Sequence, residues 1–307
     1  MSYDIGQLPR QDGRIVMVTG SNTGLGFHNA HDLAAKGAKV VMACRTESRA
    51  TDAMRRITEL VPDADLEFLA LDLSSLDAVR SAAATFRDRH DTLDVLVNNA
   101  GIMMTPYEKT VDGFEGQMAA NYWGHFLLTM SLIDLMPDAP ESRVVSLSSL
   151  AHAQGTKKIR FDDIHWEQKY SRSGAYQQTK LACLLFALEL DRRLRAAGKE
   201  IVSVASHPGV SPTELGRAMP KLLTEVVRYT VGPFVSHDPD VASLPSLVAA
   251  IDPEVSGGEY YGPQGLNEMK GDPGPARIHP CAHDVHAARQ LWDLSVELTG
   301  ADLPFDS

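Results

Sequence analysis

Tyr176 and Lys180 stand four positions apart in the stretch Gly174-Ala175-Tyr176-Gln177-Gln178-Thr179-Lys180-Leu181-Ala182. The apolar run Leu181, Leu184, Leu185, Leu188 continues at helical spacing, so the stretch predicts the opening turns of a helix with both polar groups on one face. A fixed ammonium beside a phenol favours the phenolate and draws a tyrosine down from its usual pKa of about 10. Such a tyrosine can exchange a proton with an alcohol oxygen near neutral pH. Alone, the pair is common on ordinary amphipathic helices, so its weight rests on what accompanies it.

The apolar run at 14–19 predicts a buried parallel strand. It ends in Thr19-Gly20-Ser21-Asn22-Thr23-Gly24-Leu25-Gly26, and a helix is expected over 27–36, closed by Gly37. Glycines let the backbone turn tightly and approach a pyrophosphate, and the helix N-terminus offers it N–H groups and a positive dipole end. The next strand, 39–43, ends at Cys44-Arg45. In dinucleotide-binding folds the tip of this strand faces the adenine ribose. An acid there would accept hydrogen bonds from both ribose hydroxyls, whereas a guanidinium clamps a 2′-phosphate. Arg45 therefore points to NADP(H) in preference to NAD(H), with Arg49 as a second cation if it opens the next helix on the same side.

The pattern continues with a helix at 47–60, a strand at 66–71, a helix at 76–89 and a strand at 94–97. A helix follows 112–116, and the strand 143–148 leads to Ser149. After the Tyr176 helix come a strand at 201–206, a helix at 240–251, a last strand at 257–262 and a terminal helix at 283–298. Such alternation predicts an α/β fold, a doubly wound parallel sheet with helices on both faces, in one domain over 1–307. Its core is expected at about 14–262, with a C-terminal extension over 263–307.

The chain has 307 residues, 44% hydrophobic, enough for a sizeable core. Its formal charge of -11 argues against a nucleic-acid or anionic-membrane surface. The three cysteines are widely spaced and suit a reducing compartment, so a soluble, cytoplasmic protein is expected. No signal pattern or long apolar run is present. His279, Cys281, His283 and His286 are capable ligands at spacings that match no zinc pattern, and no metal is expected.

The glycine spacing, the tetrad Asn98-Asn99-Ala100-Gly101, Asn121, Ser149 and the pair Tyr176 and Lys180 follow one another in order. Together they resemble the short-chain dehydrogenase/reductase family over about 14–262. The longer stretch at 152–173 is similar to that of retinol dehydrogenase-like and carbonyl reductase-like members; the whole resembles the retinol dehydrogenase-like branch, and that branch's membrane anchor is not expected here. The resemblance implies a Rossmann domain with a seven-stranded parallel sheet and reversible hydride transfer between NADP(H) and a carbonyl or alcohol. It implies Tyr176 as acid and base, Ser149 as holder of the substrate oxygen, Lys180 as partner of Tyr176 and grip on the nicotinamide ribose, and Asn121 as a helix kink and relay. Ser148 is the competing register for Ser149. Cofactor contacts are implied at Gly20, Asn22, Thr23, Gly24, Leu25, Gly26, Arg45, Asp72, Leu73, Asn98, Ala100, Gly101, Tyr176, Lys180, Pro208, Gly209, Val210 and Thr213. For Asp72 the resemblance implies the adenine amino group, while its place before Ser74 and Ser75 fits a helix start equally well.

The stretch at 211–240 mixes apolar residues with Pro220, Gly232 and Pro233, which suits a lid over a lipophilic substrate. The insert at 152–173 either walls the pocket or forms a surface excursion with its own small core. The partner expected is a small carbonyl or alcohol, and family members often pair as dimers or tetramers. Two other readings stay open: a carbon–carbon double-bond reductase of the protochlorophyllide reductase type, and an NADP sensor without chemistry.

Overall fold

The computed structural model describes residues 4–209 and 238–305. Its strands are β1 (Ile15–Thr19), β2 (Lys39–Cys44), β3 (Asp65–Ala70), β4 (Val95–Asn98), β5 (Arg143–Leu147), β6 (Val202–Ser206), β7 (Tyr260–Pro263) and β8 (Pro273–Pro275). They form one sheet in the order β3-β2-β1-β4-β5-β6-β7-β8. The pairs from β3 to β7 are parallel, and β8 joins β7 antiparallel. The order reverses between β1 and β4, which opens a crevice at the carboxyl ends of these strands.

The strands read as near-continuous apolar runs because helices cover both faces. Val16 and Val18 share one core with Ala30 and Leu33 of α1 (Gly24–Ala35) and Leu247 of the helix Pro239–Ile251. Met17, between them, turns to the other core. There it joins Val79 of the helix Leu76–Arg89, Leu184 of the helix Arg172–Ala196 and Trp292 of the helix Val285–Thr299. Full burial of such a side chain contributes roughly 1.5–3 kcal/mol.

Among the described residues eight strands stand where seven were expected. The additional strand, Pro273–Pro275, lies beyond residue 262 and pairs Gly274 with Gly262. Its Pro-Gly-Pro sequence has no apolar alternation, and proline is confined to sheet edges, where β8 lies. The last parallel strand also begins three residues later than expected, at Tyr260.

The helix carrying Asn121 is not regular. It begins at Gly116–Met118, passes through a π-helical turn at Ala119–Trp123 and continues as Gly124–Leu132. At the turn the Gly124 N–H reaches the Ala119 carbonyl, five residues back. The insert does not form a separate core. Ile159 belongs to the core under the helix Arg172–Ala196, and Phe161 and Ile164 pack against it.

Candidate active site

The crevice holds a cleft of about 460 Å³. The glycine turn, the tips of β2 and β3, the loop after β4 and the helix Arg172–Ala196 all line it. Gly24 has φ +58, and a Cβ there would meet nothing within 4 Å. A Cβ on Gly26 would fall 2.6 Å from the Gly20 carbonyl oxygen and against the Asn99 amide, so this approach of α1 to β1 requires glycine. Thr23, at the N-cap of α1, makes no side-chain capping bond. Thr23, Gly24, Leu25 and Gly26 line the cleft, so the unserved end of α1 faces it as an anion-binding terminus.

Arg45 and Arg49 line the cleft on the β2 side, both exposed, and among the described residues neither forms an ion pair. Asp72 and Leu73 line it at the end of β3. Asp72 Oδ1 accepts from the Ser74 N–H at 3.0 Å and the Ser74 hydroxyl at 2.6 Å, while Ser75 caps the helix Leu76–Arg89. Asp72 thus shapes the turn and also faces the cleft.

Tyr176 and Lys180 line the other side, both at least nine-tenths buried. The Lys180 ammonium lies 5.8 Å from the centre of the Tyr176 ring and donates to the Leu147 carbonyl at 2.8 Å. Ser148 donates to the Lys180 carbonyl at 2.7 Å and is consumed in packing the helix onto β5. Ser149 caps the short turn Leu150–Ala153, its Oγ accepting from Ala151 N–H at 3.2 Å. That bond leaves the Ser149 proton unspent, although Ser149 itself is not among the residues that line the cleft.

Asn121 lies in the π-turn and grips Ile102, accepting from its N–H at 2.8 Å and donating to its carbonyl at 2.9 Å. A Cβ on Gly101 would lie 3.4 Å from Asn121 Oδ1 and 3.7 Å from Lys180 Nζ, so the two side chains flank that glycine. Ala100 and Gly101 line the cleft, together with Gly20 and Asn22. Asn98 does not: it turns beneath the sheet and donates to Thr129 Oγ1 at 3.0 Å. Asn99 lines the cleft instead, and its amide donates to the Thr19 carbonyl at 2.8 Å. Pro208 and Gly209 follow β6 at the same sheet edge, with Gly209 at φ +72. Val210 and Thr213 lie outside the described residues, as does nearly all of the stretch 211–240.

Residues with no motif of their own also reach the site. Ile102 and Met103 line the cleft, with Met104 N–H held by Gln117 Oε1 at 2.8 Å. His152 Nδ1 lies 2.7 Å from the Ser149 carbonyl, and burial pushes that imidazole below its usual pKa. Only the nearness of His152 to Ser149 in the sequence could have signalled it.

The sequence model of the family described as short chain dehydrogenase matches residues 14–161. Retinol dehydrogenase 13 of Homo sapiens is 39% identical over 298 residues, covering 95% of this chain and 86% of that protein. The chain belongs to the short-chain dehydrogenase/reductase family. Within it the chain falls in the retinol dehydrogenase-like branch and is an oxidoreductase of the CH–OH/C=O class. Among solved structures it is similar to an uncharacterised protein from Mycobacterium paratuberculosis, with TM-score 0.82 and 36% identity, over 99% of this chain and 100% of that one. A Shigella flexneri short chain dehydrogenase, solved with NADP, shares the fold at TM-score 0.64 and 21% identity, over 83% of this chain and 98% of that one. The family binds NAD(P), and the bare end of α1 beside the Gly24 backbone fits a pyrophosphate. Among the described residues no helix is long and apolar enough to cross a membrane.

Proposed function

We propose that the protein transfers hydride reversibly between NADP(H) and a lipophilic carbonyl or alcohol, as a retinol dehydrogenase-like enzyme. The observation that carries this reading is one cleft lined by Tyr176 and Lys180 on one side and by Arg45 and Arg49 on the other. The exposed guanidiniums of Arg45, just past β2, and Arg49, in the first turn of the helix Glu47–Leu60, suit a 2′-phosphate. Ile102, Met103 and Leu147 add an apolar lining, which supports a lipophilic substrate. The similarity to retinol dehydrogenase 13, named for a lipophilic alcohol, supports the second point.

When bound, the nicotinamide supplies or accepts the hydride at the substrate carbon. The Tyr176 phenol gives its proton to the carbonyl oxygen in reduction and takes it back in oxidation. Ser149 donates a hydrogen bond to that oxygen, strongest as charge builds on it. The Lys180 ammonium, fixed by the Leu147 carbonyl, favours the phenolate and grips the nicotinamide ribose. Asn121, held at Ile102, completes the proton relay from Lys180.

The test is cofactor-resolved turnover of all-trans-retinal, medium-chain aldehydes, ketones and quinones with NADPH and with NADH. The reading expects NADPH to be preferred and kcat/KM to rise with aldehyde apolar area. Equal use of both cofactors overturns the NADP(H) assignment, and preference for small polar carbonyls overturns the lipophilic one.

A further inference from the structure

His125 is buried in the segment Gly124–Leu132 and takes no part in the chemistry above. Its Nε2 lies 2.9 Å from the Thr19 hydroxyl and its Nδ1 lies 2.9 Å from the Asn121 carbonyl. Counting donors assigns the proton. Thr19 Oγ1 already accepts two backbone N–H groups, from Asn99 at 3.0 Å and from Ala100 at 2.9 Å. Its lone pairs are then engaged, and what it has left to offer the imidazole is its single proton. The Val97 carbonyl competes for that proton only at 3.4 Å. Nε2 is therefore the acceptor, and the ring proton sits on Nδ1, aimed at Asn121. A cationic ring would set two donors against each other at Thr19. Burial pushes the imidazole pKa down to about 4, in keeping with a neutral ring, and the charge of Lys180 acts in the same direction.

The two sides that this ring joins are the two halves of the site. On one side, Thr19 leads into the glycine turn and fixes the Asn99–Ala100 backbone that lines the cleft. On the other, the π-turn carries Asn121, which holds Ile102 and flanks Gly101 opposite Lys180. We propose that His125 is a positioning residue that locks the dinucleotide turn to the helix facing Lys180. Nε2 sets the Thr19 side, where the cofactor is bound, and Nδ1 sets the Asn121 side, where the proton is moved.

Two substitutions separate the nitrogens. His125→Asn puts an amide N–H near the position of Nδ1 and nothing at Nε2. His125→Gln reaches Thr19 with its amide oxygen and takes the ring N–H away from the Asn121 carbonyl, which keeps only the weaker Cys183 thiol at 3.4 Å as a side-chain donor. Amide hydrogen exchange, Kd for NADPH and NADH, and kcat with all-trans-retinal would be measured on both variants. His125→Asn should speed exchange at Asn99 and Ala100 and raise the Kd of the preferred dinucleotide about tenfold, with kcat within about twofold of the parent. His125→Gln should speed exchange at Gly124 and lower kcat about tenfold, with Kd within about twofold. Equal changes in both variants, or a lowered Tm with unchanged Kd and kcat, overturn the proposal. On the unsubstituted protein, nitrogen chemical shifts at pH 7 report the tautomer directly, and a proton on Nε2 also overturns it. The kcat arm rests on the function proposed above. If the parent turns over no aldehyde, that reading falls, while exchange, Kd and tautomer still decide the role of His125.

Discussion

Ser148 donates its hydroxyl to the backbone carbonyl of Lys180 at 2.7 Å, which divides the labour between two adjacent serines. Ser148 ties β5 to the helix carrying Tyr176 and Lys180, and Ser149 keeps its proton, which the proposed function gives to the substrate oxygen. Ser149→Ala should therefore lower kcat about 10²–10³-fold with little change in Tm. Ser148→Ala should cost about 0.5–1.5 kcal/mol in stability by removing one buried hydrogen bond between β5 and the helix, and should retain most of its turnover. Thermal unfolding and steady-state kinetics on both variants check this, and the reverse pattern would reassign the serines.

Tyr176→Phe keeps the ring and its packing but removes the transferable proton. Turnover should fall by at least about 10²–10⁴-fold, while NADPH Kd, read by fluorescence titration, stays within about twofold. Full activity in this variant would sink the assignment of Tyr176.

Arg45→Glu replaces a donor for a phosphate with an acceptor for hydroxyls. It should raise KM for NADPH by about 10–100-fold, from loss of a charge-assisted bond of about 1.5–3 kcal/mol, and leave KM for NADH equal or lower. Ratios of kcat/KM for the two cofactors give the result. Arg49→Ala should move the ratio in the same direction by less.

The buried and half-buried histidines should make the fold acid-sensitive. Burial lowers the pKa of His28, His125, His152, His165 and His207 below the ordinary 6.5, with His125 at about 4. The unfolded chain then binds more protons than the folded chain below pH 6.5, so stability is complete above that pH and falls as pH drops towards 4. For His125 alone the loss is on the order of 3 kcal/mol. His31, raised by its bond to Asp32, opposes this trend. Urea unfolding between pH 7 and 4 should show the midpoint falling with pH, more shallowly in His125→Asn. A midpoint independent of pH would contradict the burial of these rings.

Gly26→Ala places a methyl group against the Gly20 carbonyl and the Asn99 amide. The strain should lower stability by about 1–3 kcal/mol and weaken both dinucleotides alike, since it acts on the turn they share. Tm and Kd for NADPH and NADH test it, and selective weakening of one dinucleotide would point elsewhere.

What the sequence by itself determined was local. Apolar runs such as 14–19 must be buried on both faces, and a Tyr and a Lys four apart must share a helix face. Glycines at 20, 24 and 26 mark a tight turn leading into a helix. These features act through the chain's own periodicity, so they can be read from spacing alone. The tertiary structure decided what depends on partners distant in sequence. Thr19 meets His125 across 106 positions, and Asn121 finds its partner in Ile102. Asn98 turns to Thr129 and away from the cleft, because the pleat of β4 sends successive side chains to opposite faces. Pro273–Pro275 becomes a strand only because the edge of β7 is there to pair with. A long-range hydrogen bond leaves no period in the sequence, so the arrangement around Tyr176 emerges only when the sheet brings its ends together.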